Sequence, residues 1–384
     1  MSNKRHFVLA AGGTGGHMIP AHALAEELAD RGHSVALVTD ARGARFPGLF
    51  GKAQVHVMPA GRLAGGPLGW VKAGRDILSG RAMARRLYKA KRPAAVIGFG
   101  GYPALPALLA AKANGIPTLI HEQNAVLGRV NRLLARQVKA IATAYPDIQR
   151  LKPAFAKKVE LVGNPVRGDV LRIRGEAYPK PASDGEFHVL VTGGSQGATI
   201  LSKVVPAGLS ALPESLRKRL NVVQQCRAED LDAVRAAYAA ASIPAELATY
   251  LPDLPDRLAW SHLFIGRSGA SSIAELTAAG RPAILIPFGA ATDDHQTFNA
   301  REMAQAGGAK VISQGEFTPE RLAAEMQAFA DPDRLAEAAA HARAVGRPDA
   351  HRHLADLVER IAGISAPASP VPAKSKAQAK AALA

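Results

Sequence analysis

The sequence predicts an α/β protein of two domains, each carrying a parallel sheet covered by helices on both faces. Three observations predict it. The chain has 384 residues, 48% hydrophobic and 21% charged, enough for two ordinary cores. A continuous apolar run, a glycine-rich turn and a helical stretch follow one another at the start and again 181 residues later. The strand candidates are apolar throughout rather than alternating, and helical spacing separates them, as expected of strands buried on both faces.

The first strand candidate is 6–11, the turn is Gly12-Gly-Thr-Gly-Gly-His17, and 21–29 has helical spacing. Residues 34–39 give the second strand. Residues 94–111 carry no charge, the minimal length of a membrane span, but Gly98, Gly100, Gly101, Pro103 and Pro106 interrupt them. A strand at 94–99, a glycine turn and a helix fit better, because freed backbone groups find no partner in lipid. Strands at 118–121, 140–144 and 159–162 complete the first half, and the boundary falls near Asn164-Pro165 and the polar stretch 176–185. The second half opens with 188–192, the turn Gly193-Gly-Ser-Gln-Gly197 and a helix over 198–212. Further strands are expected at 220–224, 262–266 and 283–287. Beyond Asp333 the chain reads as alanine-rich helix to about Ile361. The remainder is Ala, Pro, Ser and Lys with no acid, and is predicted to be disordered.

Lys and Arg number 48 against 32 Asp and Glu, a net charge of +16 that favours an anionic partner. The charge is uneven: residues 62–92 hold nine Lys or Arg against Asp76 alone, half of the total. Leu68, Trp70, Val71, Ile77 and Leu78 lie among Lys72, Arg75 and the other cations, which is what an interfacial membrane contact requires. A helix with its apolar face in the core has the same composition. One cysteine, Cys226, allows no intrachain disulfide, and cytosol is the simplest reading. The first apolar run is too short for a signal peptide.

Glycine turns between strand and helix offer unpaired N–H groups and a partial positive charge to phosphate. Met18 stands where a dinucleotide fingerprint has its third glycine, so a dehydrogenase rests weakly on Asp40. No Gly-Lys-Ser/Thr follows either turn, which disfavours nucleoside triphosphate hydrolysis. In Arg267-Ser-Gly-Ala-Ser-Ser-Ile-Ala-Glu275 the hydroxyls of Ser271 and Ser272 are candidate helix caps, and Glu275, turned inward, is suited to accept the two hydroxyls of a ribose. His295, Gln296 and Asn299 fall at a strand's C-terminal edge, where such sheets bind ligands. The Asp-x-Asp pairs Asp331/Asp333 and Asp230/Asp232 read as surface helix features, and no metal site is expected.

The ordered set 12–17, 121–124, 162–167, 193–197, 267–270 with Glu275, and 294–296 with Asn299 resembles one family over about residues 5–361. It is similar to the undecaprenyldiphospho-muramoylpentapeptide β-N-acetylglucosaminyltransferases, GT-B enzymes that make lipid II from lipid I. The resemblance implies two Rossmann-like domains whose sheets face a cleft: residues 1–165 binding acceptor and membrane, and 166–340 binding UDP-GlcNAc. Residues 341–363 would be a C-terminal helix packing back on the first domain, and 364–384 a basic tail. Donor contacts carried over are Thr14, Gly15, Gly16, Asn124, Arg167, Ser195, Leu251, Ala270, Ser271, Ser272, Ile273, Ala274, Glu275, Gln296 and Asn299. The acceptor diphosphate falls to Gly13, Thr14, Gly15, Gly16 and His17, and the membrane contact to Leu68, Trp70, Val71, Lys72, Arg75, Ile77 and Leu78.

The implied reaction is attack of the MurNAc C4 hydroxyl on the anomeric carbon opposite UDP, with inversion. Helix N-termini and Arg167 would stabilise the leaving diphosphate without a metal or other cofactor. His17 is the candidate base, since a histidine titrates near neutrality, and His121 and Glu122 are alternatives. Implied partners are UDP-GlcNAc, lipid I, an anionic membrane surface and other cell-wall and division proteins, with no nucleic acid, at the cytoplasmic face of the bacterial inner membrane. Competing readings are a GT-B transferase using another lipid, a UDP-GlcNAc 2-epimerase, and a membrane-associated scaffold.

Overall fold

The computed structural model describes residues 4–45, 50–51, 53–59, 61, 66–194 and 197–364, without the side chains of Pro67, Leu68 and Thr292. Ser195 and residues 365–384, the expected disordered tail, therefore lie outside the described residues.

The first half runs β1 (His6–Ala10), α1 (Gly15–Asp30), β2 (Ser34–Thr39), β3 (Gln54–Val57), α2 (Gly66–Ala90), β4 (Ala95–Gly98), α3 (Ala104–Ala113), β5 (Thr118–Glu122), α4 (Arg129–Leu134), β6 (Ala140–Thr143) and β7 (Val159–Leu161). The second runs α5 (Gly168–Arg174), β8 (Phe187–Thr192), α6 (Thr199–Ser210), α7 (Glu214–Arg217), β9 (Leu220–Gln225), α8 (Leu231–Ala240), β10 (Ala245–Ala248), α9 (Leu254–Trp260), β11 (Leu263–Gly266), α10 (Ala270–Ala279), β12 (Ala283–Leu285), α11 (His295–Gln305), β13 (Ala309–Val311), α12 (Pro319–Phe329), α13 (Pro332–Ala344) and α14 (Ala350–Ile361).

Each half is one wholly parallel sheet, as predicted: β3-β2-β1-β4-β5-β6-β7 and β10-β9-β8-β11-β12-β13. In β1 the alternate residues Phe7 and Leu9 enter one core and Val8 and Ala10 another, so both faces are covered. In β8, Val189 and Val191 point to one core and Leu190 to the other. Strand order reverses between β1 and β4 and between β8 and β11, and both glycine turns follow the strand at which it reverses. That is the switch point where parallel sheets take ligands.

Three edge strands, β3, β10 and β13, are absent from the expectations. Their residues are exposed or half-buried and include Gln54, His56, Glu246 and Lys310, so the apolar run that marks the central strands is missing. The expected single helix to Ile361 is two, α13 ending at Ala344 and α14 starting at Ala350. Gly346 makes the break: a Cβ there would lie 2.4 Å from the carbonyl oxygen of Thr277, so only glycine passes. Of the stretch expected at 341–363, residues 341–344 belong to α13, whose Leu335 and Ala338 join the second domain's core. α14 instead puts Leu354, Ala355, Leu357 and Val358 among Phe7, Leu9 and Leu24 of the first domain. Arg31 donates to Asp356 and Glu359 (both 2.7 Å), and His33 Nε2 lies 2.8 Å from Glu359. Ile364, expected at the head of a disordered tail, is buried in this core.

Candidate active site

Because both sheets are parallel, the turns after β1, β4, β5, β8 and β11 gather at their C-terminal edges, and contacts across those edges join the two halves. The Ala125 N–H donates to Asn299 Oδ1 (2.8 Å), Asn299 Nδ2 donates to Asn124 Oδ1 (3.1 Å), and Asn164 Nδ2 donates to the Ala270 carbonyl (3.3 Å). Asp293, with φ of 59°, accepts from Arg132 (3.0 Å) and pairs with Arg150 (3.1 Å). Asn124 and Asn299 were picked out in the sequence, but their pairing was not legible there, because the partners are far apart along the chain.

The first turn carries His17 on the opening turn of α1. Nδ1 lies 3.0 Å from the Gly12 carbonyl oxygen and must donate to it, which leaves the lone pair on Nε2. Nε2 points at the β4 turn, where a Cβ on Gly100 (φ 87°) would lie 3.1 Å from it. Burial holds the His17 pKa below its ordinary value, against the opposing pull of the Gly12 carbonyl, Glu122 and Asp40, so the ring is neutral at pH 7. His121 is different. It is fully buried, Nε2 donates to the Gly163 carbonyl (2.9 Å), Nδ1 accepts from Gln123 (2.9 Å), and burial lowers its pKa to about 4. Neither nitrogen is free to take a substrate proton. Glu122 accepts four hydrogen bonds, from Asn124 N (3.1 Å) and Nδ2 (3.2 Å), Gly128 N (2.8 Å) and Asn131 Nδ2 (2.8 Å). It organises the loop after β5. Asn131, which the sequence reading missed, connects that loop to α4.

Asp40, on which the dehydrogenase alternative weakly rested, is a loop clamp. Its Oδ1 accepts from Gly43 N (2.8 Å) and Gly13 N (3.3 Å), and Oδ2 pairs with Arg42 (3.1 Å).

In the second half α10 starts at Ala270 with Gly269 as its N-cap and no side-chain cap, so Ser271 and Ser272 do not cap it as expected. Glu275 is 4% exposed, and its Oε1 stands 3.7 Å from Arg167 Nε. Burial raises its pKa, and Arg167 opposes that rise. Arg167 Nε, Glu275 Oε1, Ser268 Oγ, Ser271 Oγ and Asn164 Oδ1 are all buried without a hydrogen-bond partner. Ile273 and Ala270 are buried beside them, Ala274 and Ser272 are half-buried, and Leu251 is buried ahead of α9. Gln296 Oε1 accepts the Phe288 N–H (2.9 Å). Arg267 donates to the carbonyls of Ile286 (3.0 Å) and Pro287 (3.1 Å) and to Gln314 (2.8 Å), fixing the loop after β12. Asp331 caps α13 by accepting from Asp333 N (2.7 Å) and Arg334 N (3.1 Å), the structural use expected of that Asp-x-Asp pair.

The glycosyltransferase family 28 N-terminal domain matches residues 7–143, and the glycosyltransferase family 28 C-terminal domain matches residues 188–354. The chain belongs to glycosyltransferase family 28. It is 63% identical over 92% of its length to a UDP-N-acetylglucosamine–N-acetylmuramyl-(pentapeptide) pyrophosphoryl-undecaprenol N-acetylglucosamine transferase of Novosphingobium aromaticivorans, covering 92% of that protein. To the protein of that name from Erythrobacter litoralis it is 61% identical, covering 94% of this chain and 90% of the relative. Among solved structures, Acinetobacter baumannii MurG matches with 31% identity and a TM-score of 0.72, over 93% of this chain and 99% of that one. The resemblance carried by the ordered motifs and the GT-B architecture are both borne out. The family-28 chain is a glycosyltransferase.

Proposed function

We infer that this transferase moves N-acetylglucosamine from UDP-GlcNAc to the C4 hydroxyl of MurNAc in undecaprenyl-diphospho-MurNAc-pentapeptide, forming lipid II with inversion at the anomeric carbon. The observation that carries the donor half is the set of buried polar atoms around the start of α10 that lack partners. Each costs about 1–3 kcal/mol if left unpaired, and a nucleoside diphosphate sugar matches them in kind. Glu275 accepts ribose hydroxyls, Arg167 meets the diphosphate, and Ala270, Ser271, Ser272, Ile273, Ala274 and Leu251 surround the nucleoside. Ser195, Gln296, Asn124 and Asn299 complete the donor set. The last two bond each other across the cleft, so they act by joining donor and acceptor domains at the sugar.

On the acceptor side residues 13–16 receive the lipid diphosphate at the start of α1, a helix with no acid in its first turn. His17 Nε2 takes the C4 hydroxyl proton as the new C–O bond forms. The bond from the anomeric carbon to UDP breaks, and its electron pair leaves on the diphosphate, where Arg167 and the two helix N-termini stabilise it.

No helix among the described residues is long and apolar enough to cross a membrane. Trp70, Val71 and Leu78 are exposed on α2 beside Lys72 and Arg75, with Ile77 half-buried. This face fits a peripheral contact with anionic lipid at the cytoplasmic side of the inner membrane, where lipid I presents its sugar. A 2-epimerase, with a soluble sugar nucleotide as its sole substrate, has no use for such a face.

Transfer of labelled GlcNAc to a lipid I analogue, run with EDTA and beside an acceptor-free control, tests the reading. Lipid-linked disaccharide is expected despite the chelator. Epimerised sugar nucleotide, or label in another lipid, would overturn it.

A further inference from the structure

We propose that Arg42 is a ligand of the acceptor's diphosphate, held over the first glycine turn by Asp40. The proposal deepens the transfer reaction described above and rests on that reading.

Arg42 lies just beyond β2, the neighbour of β1, so its backbone sits at the same C-terminal edge as the turn 12–14. Its guanidinium is directly above that turn: a Cβ on Gly13 would lie 3.2 Å from Nη2 and 3.8 Å from Cζ. Gly13 has φ of 88°, so the turn is one that a larger residue would strain as well as crowd. The guanidinium is aimed rather than loose. Asp40 Oδ2 takes Nη2 at 3.1 Å, while Asp40 Oδ1 is itself fixed by the N–H groups of Gly43 and Gly13. Burial of the Asp40 carboxyl opposes its ionisation, but Gly43, Arg42 and Gly13 outweigh that and hold its pKa below the ordinary value, so the carboxylate stays charged at neutral pH.

A guanidinium carries five N–H donors in a fixed fork. Asp40 engages Nη2, and the Arg42 side chain is still 53% exposed, so a ligand can reach the fork. On the other side of the turn, α1 begins with Thr14 making no side-chain cap. A diphosphate laid over the turn meets the arginine fork on one side and backbone N–H groups on the other, the geometry in which arginine binds phosphate bidentately. The donor's diphosphate has its own arginine, Arg167, beside α10, whereas Arg42 belongs to the other domain. In this arrangement Asp40 is a positioning residue, acting through Arg42 and the turn.

The test uses the full chain, UDP-GlcNAc and two acceptors: a lipid I analogue, and its counterpart with a neutral linker replacing the diphosphate. Arg42→Ala should raise KM for the diphosphate acceptor at least tenfold and leave KM for UDP-GlcNAc within twofold. It should match the parent on the neutral-linker acceptor, and Arg42→Lys should recover part of the loss. Calorimetric binding of inorganic diphosphate with UDP saturating the donor site gives a readout without turnover, and should weaken at least fivefold in Arg42→Ala. Equal losses on both acceptors would reduce Arg42 to a structural role and overturn the proposal. A loss confined to UDP-GlcNAc would assign Arg42 to the donor and overturn it too, as would unchanged diphosphate binding. A parent chain inactive on every lipid I analogue would sink the reaction itself, while the calorimetry still judged Arg42.

Discussion

A single backbone carbonyl decides which nitrogen of His17 can do chemistry. With Nδ1–H committed to Gly12, the basic nitrogen faces the turn at Gly100, and burial keeps it unprotonated until the pH falls below the ordinary histidine value of 6.5. His17→Gln is expected to lower kcat about 100-fold or more, the usual share of a general base, while UDP-GlcNAc and acceptor binding change only a few-fold. The sign of the pH effect follows from the depressed pKa. The parent's kcat should fall as Nε2 takes up a proton, with its acid limb below pH 6.5, and that limb should vanish in the variant. A limb that persists in His17→Gln would assign it to another group. From sequence, His17 was the candidate because a glycine turn precedes it, yet His121 stayed open as an alternative. The two differ only in the fold, where His121 spends both nitrogens on Gly163 and Gln123. The clamp role of Asp40 was hidden for the same reason: a carboxylate at a strand end has one sequence signature whether it binds a ligand or pins its own loop.

At the scale of elements, α2 serves two surfaces. Ala73, Ala84 and Tyr88 are buried, and Tyr88 donates to the Ala107 carbonyl of α3 (3.2 Å). Trp70, Val71 and Leu78, at 65%, 73% and 65% exposure, lie away from that packing. One side of α2 is therefore packed in the core while another leaves apolar and basic residues exposed. The double variant Trp70→Ser with Leu78→Ser should keep its thermal midpoint within a few degrees and lose most of its sedimentation with anionic vesicles. Binding that survives the change would move the membrane contact elsewhere. Central strands were legible because burial on both faces demands an unbroken apolar run. Edge strands such as β3 and β10 have one exposed side and polar residues, so the same criterion passes over them. The break between α13 and α14 had a signal in Gly346 and Pro348, but its cause, the carbonyl of Thr277, comes from an element remote in sequence.

In the whole molecule the chain crosses between domains twice, once between β7 and α5 and again between α13 and α14. The second crossing places α14 in the first domain's core, where Leu354 is fully buried beside Leu24 and Phe7. Leu354→Asp buries a charge with no partner and should unfold the first domain, removing acceptor binding while calorimetry still detects UDP on the second. Loss of both together would show that the domains fold as one unit. The placement of α14 also has a meaning in time. The sheet of the first domain is complete at Leu161, yet its last helix begins at Ala350, nearly 190 residues later. At about 5–20 residues per second of synthesis, the nascent first domain waits roughly 10–40 s with the groove for α14 open. A ribosome that stalls in the second domain therefore leaves the finished first sheet unsealed until α14 has emerged.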